Sequence, residues 1–417
     1  MRRLVQIVLF VVLVLGPCVA AAQDRVRVDF PPPSLRIGEF RAELRVRVHF
    51  DLRDFDPELG EDETELRRAR LVLQGRVYDD LEYEFDVDFA NEDRPWRDVY
   101  GNYRRFRAAE IQFGRFKMPF SLDQNTATFS LNFIERSLIA NHLSPARDRG
   151  VMVHGRLGGN VFRYMTGGFR GDGENTVYAG APNEDRPEQI EIVDGTWAGR
   201  VELTPWDNSK GLLNSAQFGV NATVGTLLEG LYGLRGETLS GFDFAEPYYV
   251  KGRRLRFGAD WRWTPGPVSV QAEYIRVSDE RNGQGLGDVD LPDAIAQGWY
   301  VAGTWAITGE NKTSGGLEPS RPFPMRGAGG IELAARYEEL RFTSAGTGGE
   351  PPFSNPRAAN ILPNSDKILT LGVNWYLNRF GRVSVNGTRE TLEDPLRTPI
   401  AGRTRFWGVL TRLQFVL

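Results

Sequence analysis

Residues 39 to 50 read Glu-Phe-Arg-Ala-Glu-Leu-Arg-Val-Arg-Val-His-Phe, a strict alternation of polar and apolar side chains with charge at most polar positions. On an extended chain this puts Phe40, Ala42, Leu44, Val46, Val48 and Phe50 on one face, and Glu39, Arg41, Glu43, Arg45, Arg47 and His49 on the other. The pattern recurs. Leu81, Tyr83, Phe85, Val87 and Phe89 alternate with Glu82, Glu84, Asp86 and Asp88, and Leu255, Phe257, Ala259, Trp261 and Trp263 with Arg254, Arg256, Gly258, Asp260 and Arg262. A soluble sheet with one wet face shows the same period. Repetition behind an export signal narrows the class to an all-β transmembrane barrel, apolar outside and charged inside.

Residues 1–22 have the form of that signal: Arg2 and Arg3, an apolar core from Leu4 to Leu15, and Ala20-Ala21-Ala22 before Gln23. The core is shorter than the roughly 20 residues a spanning helix needs, and nothing later resembles one. Only a closed barrel can then cross lipid, because an open sheet edge cannot be satisfied there. The single cysteine, Cys18, is expected to leave with the signal, which removes disulfide and thiol chemistry. Net charge is −4 and becomes −6 without Arg2 and Arg3; all cations except Lys117, Lys210, Lys251, Lys312 and Lys367 are arginine. Residues 23–38 are expected to form a periplasmic N-terminal segment in which Pro31-Pro32-Pro33 argues against a strand.

The barrel itself is expected over 39–417. Candidate strands fall near 39–51, 66–77, 81–90, 98–104, 108–117, 150–157, 160–169, 196–204, 214–225, 253–263, 268–277, 297–308, 329–342, 367–377, 382–390 and 404–417. That is sixteen, the even count a single-chain bacterial barrel requires. Short turns are expected at 78–80, 158–159, 264–267 and 378–381, and long outer loops at 52–65, 118–149, 170–195, 226–252, 278–296, 343–366 and 391–403. The segment 309–328 breaks this alternation, being long where a short turn belongs. Parity predicts Val77 opposite Leu81, Arg76 opposite Glu82 and Arg70 opposite Asp88; at the Pro-Gly turn it predicts Trp263 opposite Val268 and Arg262 opposite Ser269.

Several stretches together resemble one family. Gln112-Phe113-Gly114-Arg115-Phe116-Lys117-Met118-Pro119-Phe120-Ser121-Leu122 is similar to the strand-to-loop motif of the phosphate-selective porins O and P. Phe133-Ile134-Glu135-Arg136-Ser137 with Pro145-Ala146-Arg147-Asp148-Arg149-Gly150 resembles their third loop and next strand. Gly168 to Gly173, Ala198-Gly199-Arg200, Gly298 to Val301 with Thr308-Gly309-Glu310, and Gly372 to Asn378 follow in order. The resemblance implies a sixteen-stranded outer-membrane barrel with an inward-folded third loop, usually a homotrimer and inserted by the barrel-assembly machinery. It also implies passive transport of small anions, phosphate or polyphosphate, with no cofactor.

Selectivity in such a pore comes from charged side chains that replace water around the ion, and the guanidinium fork matches phosphate oxygens. Inward parity nominates Arg41, Arg45, Arg47, Arg68, Arg70, Arg76, Arg254, Arg256 and Arg262, and the resemblance adds Lys117, Arg136, Arg147 and Arg149 at the third loop. Lys117 shares the parity of Phe113, so it enters the lumen only if the strand ends or bulges at Gly114. Glu82, Glu84, Asp86 and Asp88 form an acidic row on the same face. The plainer reading is that Arg70 and Arg76 neutralise Asp88 and Glu82 across the strands, which leaves a general or weakly cation-preferring porin as an alternative. A plugged surface barrel is a third.

Enzymatic readings find little support. His49, His142 and His154 are too scattered for a metal site or a triad, and Gly283-Gln284-Gly285-Leu286-Gly287 lacks the Lys-Ser/Thr of a phosphate loop. Asn91-Glu92-Asp93 reads as a solvated loop rather than a calcium site. The expected partners are outer-membrane lipid and small anionic solutes, and no nucleic acid.

Overall fold

The computed structural model describes residues 27–29, 32–59, 62–92, 94–175, 193–207, 211–313, 315–324, 327–344 and 355–417. The expected signal 1–22 lies outside the described residues, as do Asp93 and Lys210. Sixteen strands make the barrel: β1 Phe40–Phe55, β2 Glu63–Val77, β3 Leu81–Asp88, β4 Trp96–Phe106, β5 Ala109–Lys117, β6 Arg147–Leu157, β7 Phe162–Phe169, β8 Val193–Leu203, β9 Gln217–Gly230, β10 Val250–Trp263, β11 Val268–Arg281, β12 Leu291–Ala306, β13 Gly330–Ser344, β14 Asn364–Tyr376, β15 Gly381–Leu392 and β16 Arg405–Val416. Each pairs antiparallel with its sequence neighbours, and β16 pairs with β1 from Gly408↔Phe55 to Val416↔Arg47. Closure leaves no unpaired edge along this seam.

All sixteen expected strands are present, several of them longer than the alternation indicates. Strands β11 and β12, for example, stay paired as far as Arg281↔Leu291. Backbone pairing continues beyond the apolar belt, where Ser278-Asp279-Glu280-Arg281 puts polar side chains on both faces of β11 and the period no longer marks it. The first predicted register holds: Arg70↔Asp88, Arg76↔Glu82 and Val77↔Leu81. The second does not. Trp263 faces Val270 and Arg262 faces Gln271, two residues beyond the predicted partners. Pro265 and Pro267 lack the N–H that would start the ladder earlier, and Val268 N bonds back to Pro265 O instead. A shift of two preserves parity, so no side chain changes face.

Two short strands precede the barrel. Arg27–Asp29 pairs with Ser34–Arg36, and Ser34–Ile37 pairs with Phe40–Glu43. Pro32 and Pro33 lie in the turn between them, where a missing donor costs nothing. This hairpin continues the β1 seam beyond the point where Val46 and Leu417 exchange backbone hydrogen bonds at 3.0 and 2.9 Å.

The outer face is apolar and exposed. Aromatic side chains gather near both ends of the strands: Tyr103, Phe106, Phe218, Trp305 and Phe415 toward the short turns, Trp96, Trp197 and Trp407 toward the long loops. Such paired girdles belong at the two water–lipid interfaces. At the turn 158–161, Gly158 and Gly159 have φ of 61° and 76°, a left-handed conformation that suits glycine and little else.

The interior is divided. One part is an apolar core in which Phe120, Phe133, Leu138, Ile139 and Leu143 of loop 118–146, with Leu234 and Phe244 of loop 231–249, pack on inward-facing Ile275, Val277, Tyr300, Leu340 and Phe342. Segment 307–329 is long on the short-turn side, as the sequence indicates, and contacts loop 118–146: Lys312 Nζ donates to Asn132 Oδ1 at 2.7 Å and Thr304 Oγ1 at 2.7 Å, and also bonds Glu332. Ser130 Oγ donates to Gly315 O at 3.2 Å.

Candidate ion pathway

A loop surrounded by protein must find partners for its own N–H and C=O groups. Loop 118–146, with short helical turns α1 Leu122–Asn125 and α2 Leu138–His142, finds many of them on inward-facing side chains of β10, β11, β13, β15 and β16. Carboxylates and amides accept from its N–H groups. Glu273 takes Leu122 N at 2.8 Å and Asp123 N at 3.1 Å, Asn386 takes Ile134 N at 2.8 Å, and Glu338 takes Leu138 N at 2.6 Å. Arginines donate to its carbonyls: Arg382 to Leu131 O at 2.9 Å, Arg412 to Ile134 O at 2.7 Å, Arg336 to Glu135 O at 3.0 Å and Arg256 to Leu143 O at 2.9 Å. Bonds to a charged partner are worth about 1.5–3 kcal/mol each, so the loop is held at many points.

On the other side of this loop, facing β1–β4, lies a cavity of about 800 Å³. Its wall carries Arg53, Arg67, Arg68, Arg70, Arg94, Arg97, Arg136, Arg147 and Arg235 against Glu63, Glu135, Glu174 and Glu237, so cations outnumber acids nine to four. A void of about 30 Å³, lined in part by Arg262, Lys312 and Arg336, lies on the segment 307–329 side of the loop.

Of the thirteen nominated cations, Arg68, Arg70, Arg136 and Arg147 line the cavity. Arg70 is paired to Asp88 at 3.0 Å and lies 3.6 Å from Asp86. Arg147 grips Asp98 through two nitrogens at 3.0 and 2.8 Å and reaches Glu174 at 3.3 Å. Arg136 bonds Asp123 O and donates to Thr126 O at 2.7 Å. Arg68 has no carboxylate partner among the described residues, and its head faces the cavity.

The others sit elsewhere. Arg254 and Arg256 are fully buried; Arg254 forks onto Asp279 at 2.6 Å, and Asp172 bridges both. A passing ion cannot reach them. Lys117 ends β5 and donates to Gln124 O at 2.7 Å and Thr126 O at 3.1 Å, next to Gly114 at φ 124°, where an added Cβ would lie 2.3 Å from Val99 O. Arg45 pairs with Glu43, Arg41 lies 3.9 Å from the same acid, and Arg76 pairs with Glu82 at 3.0 Å. Arg47 stacks on Phe129 at 4.9 Å and lies 3.9 Å from Asp86. Arg262 donates to Gln217 at 2.7 Å, and Arg149 is exposed. In the acidic row, Glu82 and Asp88 are paired as above, Glu84 accepts from Tyr100 at 3.2 Å, and Asp86 lies between Arg47 and Arg70.

Five cavity arginines escape the sequence reading. Arg53 has inward parity but lies past the expected end of its strand at 51. Arg67 enters because β1 and β2 slip register between His49↔Arg68 and Asp51↔Glu65, and a bulge turns neighbouring residues the same way. Arg97 follows a similar slip between β3 and β4. Arg94 and Arg235 are on connections, where parity says nothing. Simple parity does identify Arg412 and Arg382, which clamp the loop instead.

Two loop carboxyls complete the field. Burial alone would raise the Glu135 carboxyl, but Arg67, Arg412, Arg53 and Arg68 outweigh it and hold it below the usual range. Burial likewise opposes ionisation of Glu174, yet Arg147, Arg97 and Arg115 bring it down to about 2. His142 is lowered to about 4, by burial first and then by Arg235, and so is neutral at physiological pH.

A closed sixteen-stranded barrel with an apolar belt, two aromatic girdles and a charged, solvent-lined interior is an outer-membrane porin. Residues 42–416 match the phosphate-selective porin O and P family. The chain belongs to that family, and with it to the outer-membrane porins for small anions. It is similar to Porin O of Pseudomonas aeruginosa, 23% identical over 91% of this chain and 89% of that one. Its fold is similar to the anion-selective porin of Comamonas acidovorans (TM-score 0.55, 11% identity, 90% of this chain and 99% of that one). The trimer form of OmpT from Vibrio cholerae is alike to the same degree (TM-score 0.55, 12% identity, 90% and 99%).

Proposed function

We propose that small anions, phosphate and polyphosphate among them, cross the outer membrane passively through the cavity between β1–β4 and loop 118–146, with the loop as the constriction. The observation that carries this reading is the nine-to-four excess of arginine over glutamate around the cavity, with Arg68 at its wall and without a carboxylate partner among the described residues. An ion exchanges part of its hydration for guanidinium contacts, and the neighbouring glutamates keep those contacts weak enough to release it. No cofactor takes part in this mechanism.

The zero-current potential of the purified protein in a planar bilayer under a KCl gradient, followed by phosphate titration, tests it. Chloride preference with saturable phosphate block is the expected result. Cation preference would favour the alternative suggested by the acidic row, although Glu82, Asp86 and Asp88 each have arginines beside them. We further propose a homotrimer. Supporting it are the trimer form of the outer membrane protein OmpT of Vibrio cholerae and a concave apolar face on the outer wall lined by Val270, Trp305, Leu333, Leu371 and Val385 with Gly303 and Gly387.

A further inference from the structure

The cavity is amphipathic. Its guanidinium wall, on β1–β4 and the adjoining loops, stands opposite a wall built from the edge of the interior apolar core. Leu131, Ile134 and Leu138 of loop 118–146 and Leu234 and Leu239 of loop 231–249 line it there, and Leu138, Leu234 and Leu239 belong to or pack on that core. Phe55 adds a ring from the barrel wall. On the inward face of β1 it follows His49, Asp51 and Arg53, an apolar side chain at the end of a charged row. It is seated over Gly408 of β16, where even a Cβ would come within 2.7 Å of its ring.

A pore wall that only had to pass a fully hydrated inorganic anion would gain nothing from these side chains. Apolar surface in a wet channel is favourable only when something apolar covers it. The volume agrees. About 800 Å³ is within the range of sites that take whole organic molecules, and a water occupies roughly 30 Å³.

We propose that this cavity takes organic anions with an apolar body, namely aryl and alkyl carboxylates, whose carboxylate meets the guanidinium wall at Arg68, Arg67 and Arg97 while the body covers Phe55 and the leucine face. The inference rests on the anion reading above and adds a substrate class to it. Selection within that class follows the apolar body, whereas selection of phosphate depends on the guanidinium contacts.

The test is block of the chloride current through the wild-type protein in planar bilayers by acetate, hexanoate and benzoate, with the zero-current potential taken on the same membranes. All three carry one carboxylate and differ in the body. The expected result is block at concentrations that fall at least tenfold from acetate to benzoate, with hexanoate between. Phe55→Ser and Leu239→Ser should each narrow the benzoate-to-acetate ratio at least threefold. Chloride preference with acetate and benzoate blocking alike would overturn this inference and leave the anion reading intact. Cation preference would refute that reading, and this inference with it.

Discussion

Removing Arg68 isolates one unit of pore charge. Its neighbours are compensated, Arg67 by Glu65 at 3.3 Å and Arg70 by Asp88 at 3.0 Å, whereas Arg68 has no carboxylate partner among the described residues. Arg68→Gln therefore deletes a full positive charge from the cavity wall without stranding an acid. Two unit charges 4 Å apart in water interact by about 1 kcal/mol, which is about fivefold in affinity. The variant should need about five times more phosphate for half-block of the chloride current at about 0.1 M KCl. The effect should shrink at 1 M, where the screening length falls to about 3 Å from about 10 Å. The assay is phosphate titration of single channels at both salt concentrations, with gel mobility before and after heating as the folding control. A folded Arg68→Gln protein that phosphate blocks at the wild-type concentration in low salt would refute the assignment of Arg68 to the ion path.

Other side chains should separate the scaffold from the path. Arg412 forks onto Asp51 at 2.6 Å and holds Ile134 O; Arg412→Met strands a buried acid and should cost about 3–5 kcal/mol. Thermal unfolding would show this, and Arg412→Met with Asp51→Leu should recover most of the loss. Glu273→Ala removes the acceptor of two loop N–H groups, each bond worth about 1 kcal/mol. It should raise open-channel noise and speed tryptic cleavage after Lys117; neither changing would count against the clamp. Glu174, held at about 2 against an ordinary value of 4.5, stabilises its loop fully above about 4.5, and that contribution is lost as pH falls toward 2. Conductance and thermal stability should hold from pH 7 to 5 and decline below 4, and Glu174→Gln should flatten that acid limb.

Period-two alternation determined the barrel and its strand count, since lipid permits no other use of strands that are apolar on one face and charged on the other. It placed Arg70 opposite Asp88 and Arg76 opposite Glu82, because a three-residue turn leaves one parity-consistent register. It could not place Arg67 and Arg97, which reach the cavity through slips in pairing that leave no periodic trace. Nor could parity separate Arg68 from Arg254, both on the charged face of a strand. One faces open volume, and the other is sealed between Asp172 and Asp279.

That difference arises where loops 118–146 and 231–249 settle. Their apolar side chains need burial and their backbone groups need partners, and the far wall of the barrel supplies both. The chain alone thus determined a charged tube. Only the tertiary structure decided which charges became clamps for a loop and which were left facing water, because partners hundreds of residues apart in sequence meet only once the sheet has closed.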